Sequence, residues 1–235
     1  MTDRTAVVSG ASRGIGLEVA RALVAEGMHV VMLARSEDEL RARAEELGAA
    51  AVAMACDVSD ADAVRRVTAR VLADAGGAPD VIVNNAGAFK LASVETTEPD
   101  DFRAALDVNL VAPFLLVRAF LPAMRARGTG HVVTIGSIAD RAAFPENAAY
   151  AASKFGLRAL HEVLRAELRG SGVRATIVSP GPVDTALWNE IDPDTRAGFT
   201  PRRDMLRPSA VAAAVRFAIL QPADVNVDEL RLSHS

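Results

Sequence analysis

Tyr150 is the only tyrosine in this 235-residue chain, and Lys154 is one of only two lysines. They stand four apart in Ala149-Tyr150-Ala151-Ala152-Ser153-Lys154, a spacing that sets both side chains on one face of a helix. An ordinary tyrosine has a pKa of about 10 and is scarcely ionised at neutral pH, whereas a neighbouring ammonium favours the phenolate. The pair is therefore suited to passing a proton to or from a substrate oxygen, with the phenol pKa expected below its free value. Elsewhere the chain meets its need for positive charge with 24 arginines, so a lysine at this offset asks for a specific reason.

A second chemical feature lies near the N-terminus. The run Ser9-Gly10-Ala11-Ser12-Arg13-Gly14-Ile15-Gly16 closes a valine-rich segment and opens an amphipathic one at 17–26. Glycines at these positions permit a tight turn and let backbone amides approach a pyrophosphate, with partial positive charge from the helix start. The second apolar run ends Met32-Leu33-Ala34-Arg35-Ser36. An acid at Ala34 would bond the ribose 2'-hydroxyl of NAD and repel a 2'-phosphate. Instead Arg35 follows, and Arg13 sits in the glycine loop, two guanidiniums able to hold phosphate and stack on adenine. The expected cofactor is NADP(H) in preference to NAD(H), with Glu37 and Asp38 assigned to a helix start.

The spacing Gly-x-x-x-Gly-x-Gly resembles that of the short-chain dehydrogenase/reductase family, and the resemblance covers essentially the whole chain. The family usually has threonine at Ser9, a departure that keeps the hydroxyl. The resemblance implies a catalytic set of Ser137, Tyr150, Lys154 and Asn109: Ser137 holds the substrate oxygen, and Asn109 holds a water linked to Lys154. It implies cofactor contacts from Gly10, Ser12, Arg13, Gly14, Ile15 and Gly16 in the loop and from Arg35 and Ser36 after the second strand. Asp57 matches the acid that touches adenine, with Val58 beside it. Asn84-Asn85-Ala86-Gly87 matches the stretch beside the adenine ribose. Pro180, Gly181, Val183 and Thr185 match the nicotinamide end, where the threonine hydroxyl bonds the carboxamide. Tyr150 and Lys154 also count as cofactor contacts. A homodimer or homotetramer, joined through helices around 102–120 and 150–168, is implied in the same way.

These residues need a scaffold that brings them to one edge, and the sequence describes one. Short apolar runs alternate with longer segments carrying apolar residues every three or four positions, the pattern of a parallel sheet covered on both faces. Strands are expected at 5–9, 29–34, 50–56, 81–84, 131–136, 174–179 and 225–230, which makes an α/β, doubly wound, parallel seven-stranded sheet of Rossmann-like type in a single domain of residues 1–235. Ser36-Glu37-Asp38-Glu39, Ser59-Asp60-Ala61-Asp62 and Thr97-Glu98-Pro99-Asp100 each match a capping box. Pro113 and Pro122 predict a break or kink within 101–127. Residues 184–208 carry three prolines, charges of both signs and the sole tryptophan, Trp188, without a regular period. A stretch of this length reads as a substrate lid.

Composition narrows the partners. A net charge of -4 supplies no basic stripe for a phosphate backbone, so nucleic acid is not expected. The start Met1-Thr2-Asp3-Arg4 lacks a secretory signal, and no uninterrupted apolar run reaches the roughly 20 residues that span a bilayer, so a cytoplasmic protein without a membrane partner is expected. The single cysteine, Cys56, reads as a buried thiol, and His29, His131 and His161 share no metal-ligand spacing. Candidate substrate contacts are Phe89, Lys90, Ala139, Phe144, Asn147, Val183, Leu187 and Trp188. Most are apolar, which suits a ketone or aldehyde with a hydrophobic portion, although Lys90 and the lid arginines Arg196, Arg202 and Arg203 leave an acidic substrate open. The alternatives are a 3-oxoacyl thioester reductase and a catalytically silent NADP-binding sensor on the same fold.

Overall fold

A computed structural model describes residues 4–235. Residues 1–3, on which the reading of the N-terminal start partly rests, lie outside the described residues. Seven strands, β1 (Thr5–Ser9), β2 (His29–Ala34), β3 (Ala51–Ala55), β4 (Val81–Asn84), β5 (Gly130–Ile135), β6 (Val173–Pro180) and β7 (Glu229–Leu232), form one sheet in the order β3-β2-β1-β4-β5-β6-β7. All six pairings are parallel.

The two-residue period of each strand feeds two separate cores. Ala6 and Val8 face a layer with Val19, Ala20, Leu23, Val211, Val215 and Ile219, from helices α1 (Gly14–Ala25) and α7 (Pro208–Ile219). Val7, between them, faces the opposite layer with Val64, Val71, Leu116, Phe120, Met124 and Leu164. That second layer is built by α3 (Ala61–Asp74), α5 (Ala112–Arg127) and α6 (Ala148–Glu167), while α2 (Glu37–Leu47) joins the first layer through Leu40 and Ala44. Burial of each such Leu or Phe contributes about 1.5–3 kcal/mol, so both faces of the sheet are held. The strand order reverses between β1 and β4, the point in open α/β sheets where ligands bind beyond the carboxyl ends of the strands.

Several local expectations are corrected. The last strand begins at Glu229, four residues later than expected. Residues before it are held by side chains instead of the ladder: the Asn226 amide pairs with the Ala175 backbone at 3.1 and 3.0 Å, and Thr176 Oγ1 donates to the Val227 carbonyl. None of the three proposed capping boxes forms. Ser36 makes no cap bond. Ser59 spends its hydroxyl on Asp57 at 2.6 Å, so the Asp60 carboxylate caps α3 instead, accepting from Asp62 and Ala63. Thr97 donates to the Ser93 carbonyl, and α4 (Pro99–Leu106) starts after Glu98. Of the two prolines, Pro113 follows a real irregularity, a π turn at Asp107–Val111, whereas Pro122 lies within α5 without ending it. The continuous helical run Pro99–Arg127 is, by length and composition, apolar enough to cross a membrane. Its Ala112, Leu116, Phe120 and Met124 are core residues of the second layer.

Candidate active site

The glycine loop is shaped by close backbone approach. Gly10 has φ +65, and a Cβ there would lie 2.8 Å from the Ala86 Cα; a Cβ on Gly16 would collide with the Gly10 carbonyl. Ser9 and Asn85 tie this loop to the end of β4. Ser9 Oγ accepts from the amides of Asn85 and Ala86 at 3.0 and 3.1 Å, while the Asn85 amide donates to the carbonyls of Ser9 and Gly10. Asn85 is thus committed to holding the loop, and the Ser9 hydroxyl links it to the end of β4. The loop delivers Arg13, in extended conformation, to the start of α1, where no side chain caps the helix and no acid occupies its first turn. Those amides and the helix dipole are available to an anion. Ser12, Ile15, Ala86 and Gly87 surround the same turn, and the Thr185 side chain would meet a Cβ on Gly14 at 3.4 Å. The nicotinamide-end segment therefore closes on the glycine loop.

Arg13 and Arg35 are exposed and, among the described residues, in no ion pair. Arg35 lies close enough to Asp57 to help lower its pKa, after the larger effect of the hydrogen bond from Ser59. Ser36 and Val58 adjoin these two positions at the ends of β2 and β3. The lid arginines differ. Arg202 pairs with Asp184 at 2.7 Å and reaches Asn189, and Arg196 pairs with Glu146 at 2.8 Å while stacking on Phe199. Lys90 pairs with Asp101 at 2.6 Å.

Tyr150 and Lys154 lie on α6, and Ser137 follows β5 as the first residue of a capping box around the 3-10 turn Ile138–Asp140. The Ser137 hydroxyl accepts from the Ala139 amide at 3.1 Å, which leaves its proton free to donate. Lys154 is buried, donates to the Ile135 carbonyl at 3.0 Å, and stands 5.7 Å from the centre of the Tyr150 ring. Burial lowers its pKa to about 8, against a raising effect from Asp140. Burial also raises the pKa of the Tyr150 phenol, partly offset by a hydrogen bond with Ser137 and reinforced by the charge of Asp140. This corrects the expected direction. Proximity to lysine favours the phenolate, yet loss of solvent around the phenol outweighs it.

Asn109 occupies the π turn and is fully buried. Its Oδ1 accepts from the Ala88 amide at 2.8 Å, and its Nδ2 donates to the Ala88 carbonyl and to Ser153 Oγ, which itself donates to the Tyr150 carbonyl. The side chain thereby locks the segment after β4 to α6. π turns often mark functional positions because they displace backbone groups from the regular ladder.

The 184–208 segment is tied at its base, where the Leu206 amide donates to the Pro182 carbonyl and the Asp184 amide to the Leu206 carbonyl. It leans over the phenol through aromatic edges: Phe89 packs on Tyr150 at 4.8 Å and on Trp188 at 5.2 Å, and Trp188 on Phe199 at 6.3 Å. Pro180 and Gly181 end β6 beneath it, with the Gly181 amide on the Leu232 carbonyl. Val183, Ala139 and Asn147 are buried here, while Phe144 and Leu187 face solvent. Sequence reasoning missed Asp140, a buried carboxylate directly behind Ser137. Its signal was the Ser-x-x-Asp spacing of Ser137 to Asp140, the one capping box that does form. Cys56 is buried and its thiol pKa is pushed up to about 11 by that burial. His131 and His161 are also buried, bonded to Thr176 and Thr134.

Known proteins resemble this one in architecture and in sequence. The sequence model of short chain dehydrogenases matches residues 4–196. An uncharacterized oxidoreductase of Staphylococcus saprophyticus is 34% identical over 232 residues, covering 97% of this chain and 94% of its own. A metagenomic short-chain oxidoreductase solved in complex with NADP aligns with a TM-score of 0.84 at 36% identity, over 100% of this chain and 99% of that one. The alcohol dehydrogenase of the archaeon Thermococcus sibiricus, complexed with 5-hydroxy-NADP, aligns with a TM-score of 0.87 at 32% identity, over 98% and 96% of the two chains. With the family's sequence model matched over most of its length and relatives at this identity along nearly all of it, the chain belongs to the short chain dehydrogenase family of oxidoreductases.

Proposed function

We propose that the protein is an NADP(H)-dependent oxidoreductase interconverting a ketone or aldehyde with its alcohol, with Tyr150 as general acid and base. The observation that carries this reading is the convergence of Ser137, Tyr150 and Lys154 at the strand ends facing the uncapped α1 terminus. Gly10, Gly14, Gly16 and the α1 amides would hold the pyrophosphate, Arg13 and Arg35 the 2'-phosphate, Asp57 the adenine, and Thr185 the carboxamide. When bound, the cofactor supplies or accepts the hydride at the substrate carbon. At the oxygen, Ser137 donates a hydrogen bond while Tyr150 gives its proton in reduction or takes one in oxidation. Lys154 stabilises the phenolate that reduction leaves. Asn109 maintains the Ala88 segment and α6 in register around them.

The apolar lining from Phe89, Ala139, Val183 and Trp188 favours a substrate with a hydrophobic portion. Lys90, Arg196 and Arg202 already have acidic partners, which argues against their serving an acidic substrate. Residues 184–208 act as the lid. The protein works as a homodimer or homotetramer in the cytoplasm, in line with the exposed apolar face of α5 and α6. NADPH oxidation measured with ketones, aldehydes, diketones, 3-oxo esters and 3-oxoacyl thioesters tests the reaction. Turnover of a simple carbonyl is expected; turnover of thioesters alone would make it a thioester reductase, and binding of NADPH with no turnover would make it a sensor.

A further inference from the structure

Behind Ser137 lies a buried charge cluster that the proposed reaction does not use directly. The Asp140 carboxylate has no solvent-exposed side-chain surface and accepts along both oxygens. Oδ2 takes the Ser137 amide at 3.4 Å and the Ser179 hydroxyl at 2.5 Å, and Oδ1 takes Arg141 Nε at 2.8 Å. Arg158, on α6, approaches Oδ1 at 3.9 Å. Both arginines also reach Glu229 at the start of β7, Arg158 at 3.2 Å. The room for this carboxylate is made by Gly136, where a Cβ would sit 2.7 Å from Asp140 Oδ2 and 2.6 Å from Ser179 Oγ.

We propose that Asp140 is a positioning residue for the reaction: it fixes the Ser137 backbone from behind and sets a buried negative charge next to the turn that presents Ser137 to Tyr150. This inference rests on the proposed carbonyl chemistry. A surface capping carboxylate would need neither full burial nor two guanidiniums, and leaving a buried charge without partners is costly. Here Arg141 and Arg158 each reach both Asp140 and Glu229, so the two acids share two cationic partners next to the catalytic pair. The groups facing Asp140 are Arg141 from its own turn, Ser179 from β6, Arg158, Tyr150 and Lys154 from α6, and Glu229 from β7 through the arginines. The sign is fixed. An anion opposes ionisation of the phenol and deprotonation of the ammonium, and both effects of Asp140 run that way.

The test uses the full chain and the fact that Tyr150 is the sole tyrosine. Tyrosinate absorbance is titrated in the wild type, Asp140→Asn and Arg158→Gln, with Tyr150→Phe as blank and circular dichroism reporting the fold. The alkaline limb of NADPH-dependent reduction is measured alongside. Asp140→Asn should lower the tyrosine midpoint and the alkaline limb by about one pH unit and reduce kcat about tenfold or more. Arg158→Gln, which removes a balancing cation, should move both the other way. If Asp140→Asn does not fold, the sign of the Arg158→Gln shift decides. Midpoints that coincide in every folded variant would overturn the proposal, because a merely structural role would cut the rate without moving the titration. Should the wild type turn over no carbonyl, or Tyr150→Phe retain full activity, the reaction itself fails while the titration still reads the Asp140 charge.

Discussion

At the residue scale, what matters is which groups were identifiable by type and which by surroundings. The Tyr150–Lys154 pair was legible because its spacing is itself the chemical argument, whereas Ser137 came from the family resemblance alone; the structure sets Ser137 just after β5 and the pair on α6. The direction of the Tyr150 pKa was not legible. It depends on how much solvent the fold removes from the phenol, a quantity that no spacing encodes. Asp140 was likewise hidden: an acid three residues after a serine reads as a surface cap, and only the void above Gly136 draws it inward. The cofactor preference belongs to this scale too. Arg13 and Arg35 are exposed guanidiniums outside any ion pair among the described residues, so replacing either would remove its proposed phosphate contact without breaking an internal ion pair. Arg35→Asp should shift the ratio of kcat/KM for NADPH over NADH by at least about tenfold toward NADH, equivalent to about 1.4 kcal/mol, in steady-state assays with either cofactor. An unchanged ratio would remove Arg35 from the phosphate site.

At the scale of elements, six of the seven strands were readable to within a residue or two because valine-rich runs buried on both faces carry their own signal. The seventh failed since residues 225–228 look like strand by composition but are engaged by Asn226 and Thr176. The helix starts were misread for a related reason. A hydroxyl caps only if its oxygen is turned toward the free amides of the first turn, and the bond to Asp57 turns that of Ser59 away from them. The account therefore predicts that Asp60→Ala lowers stability by about 1 kcal/mol in urea unfolding, whereas Ser59→Ala costs less than half as much. Equal losses would restore Ser59 as the cap.

At the scale of the whole molecule, two sets of residues report on the assembly and on its pH range. Phe114 on α5 and Phe155 on α6 each keep nearly half their surface in solvent, and Val163 on α6 and Val111 at the end of the π turn are exposed as well. Exposed large apolar groups suit an association surface. If the proposed oligomer forms through them, Phe114→Asp with Phe155→Asp should convert it to monomer in sedimentation equilibrium; an unchanged mass would place the interface elsewhere. Inside, burial lowers the pKa of His131 to about 3 and of His161 to about 4. Below about 6.5 the unfolded chain binds protons that the folded rings refuse, so stability is lost as pH falls. Each histidine should account for about 2 kcal/mol of the loss between pH 7 and pH 5. Urea titrations of His161→Gln should show a correspondingly shallower pH dependence, and an identical slope would contradict the assignment.

If Tyr150 transfers the proton in the proposed NADP(H)-dependent carbonyl reaction, Tyr150→Phe removes the group that carries it. With a carbonyl that the wild type reduces, the variant should lose at least about 100-fold in kcat while binding NADPH with unchanged affinity, since only the phenolic oxygen is removed. Activity within a few-fold of wild type in a variant that binds NADPH normally would contradict the account.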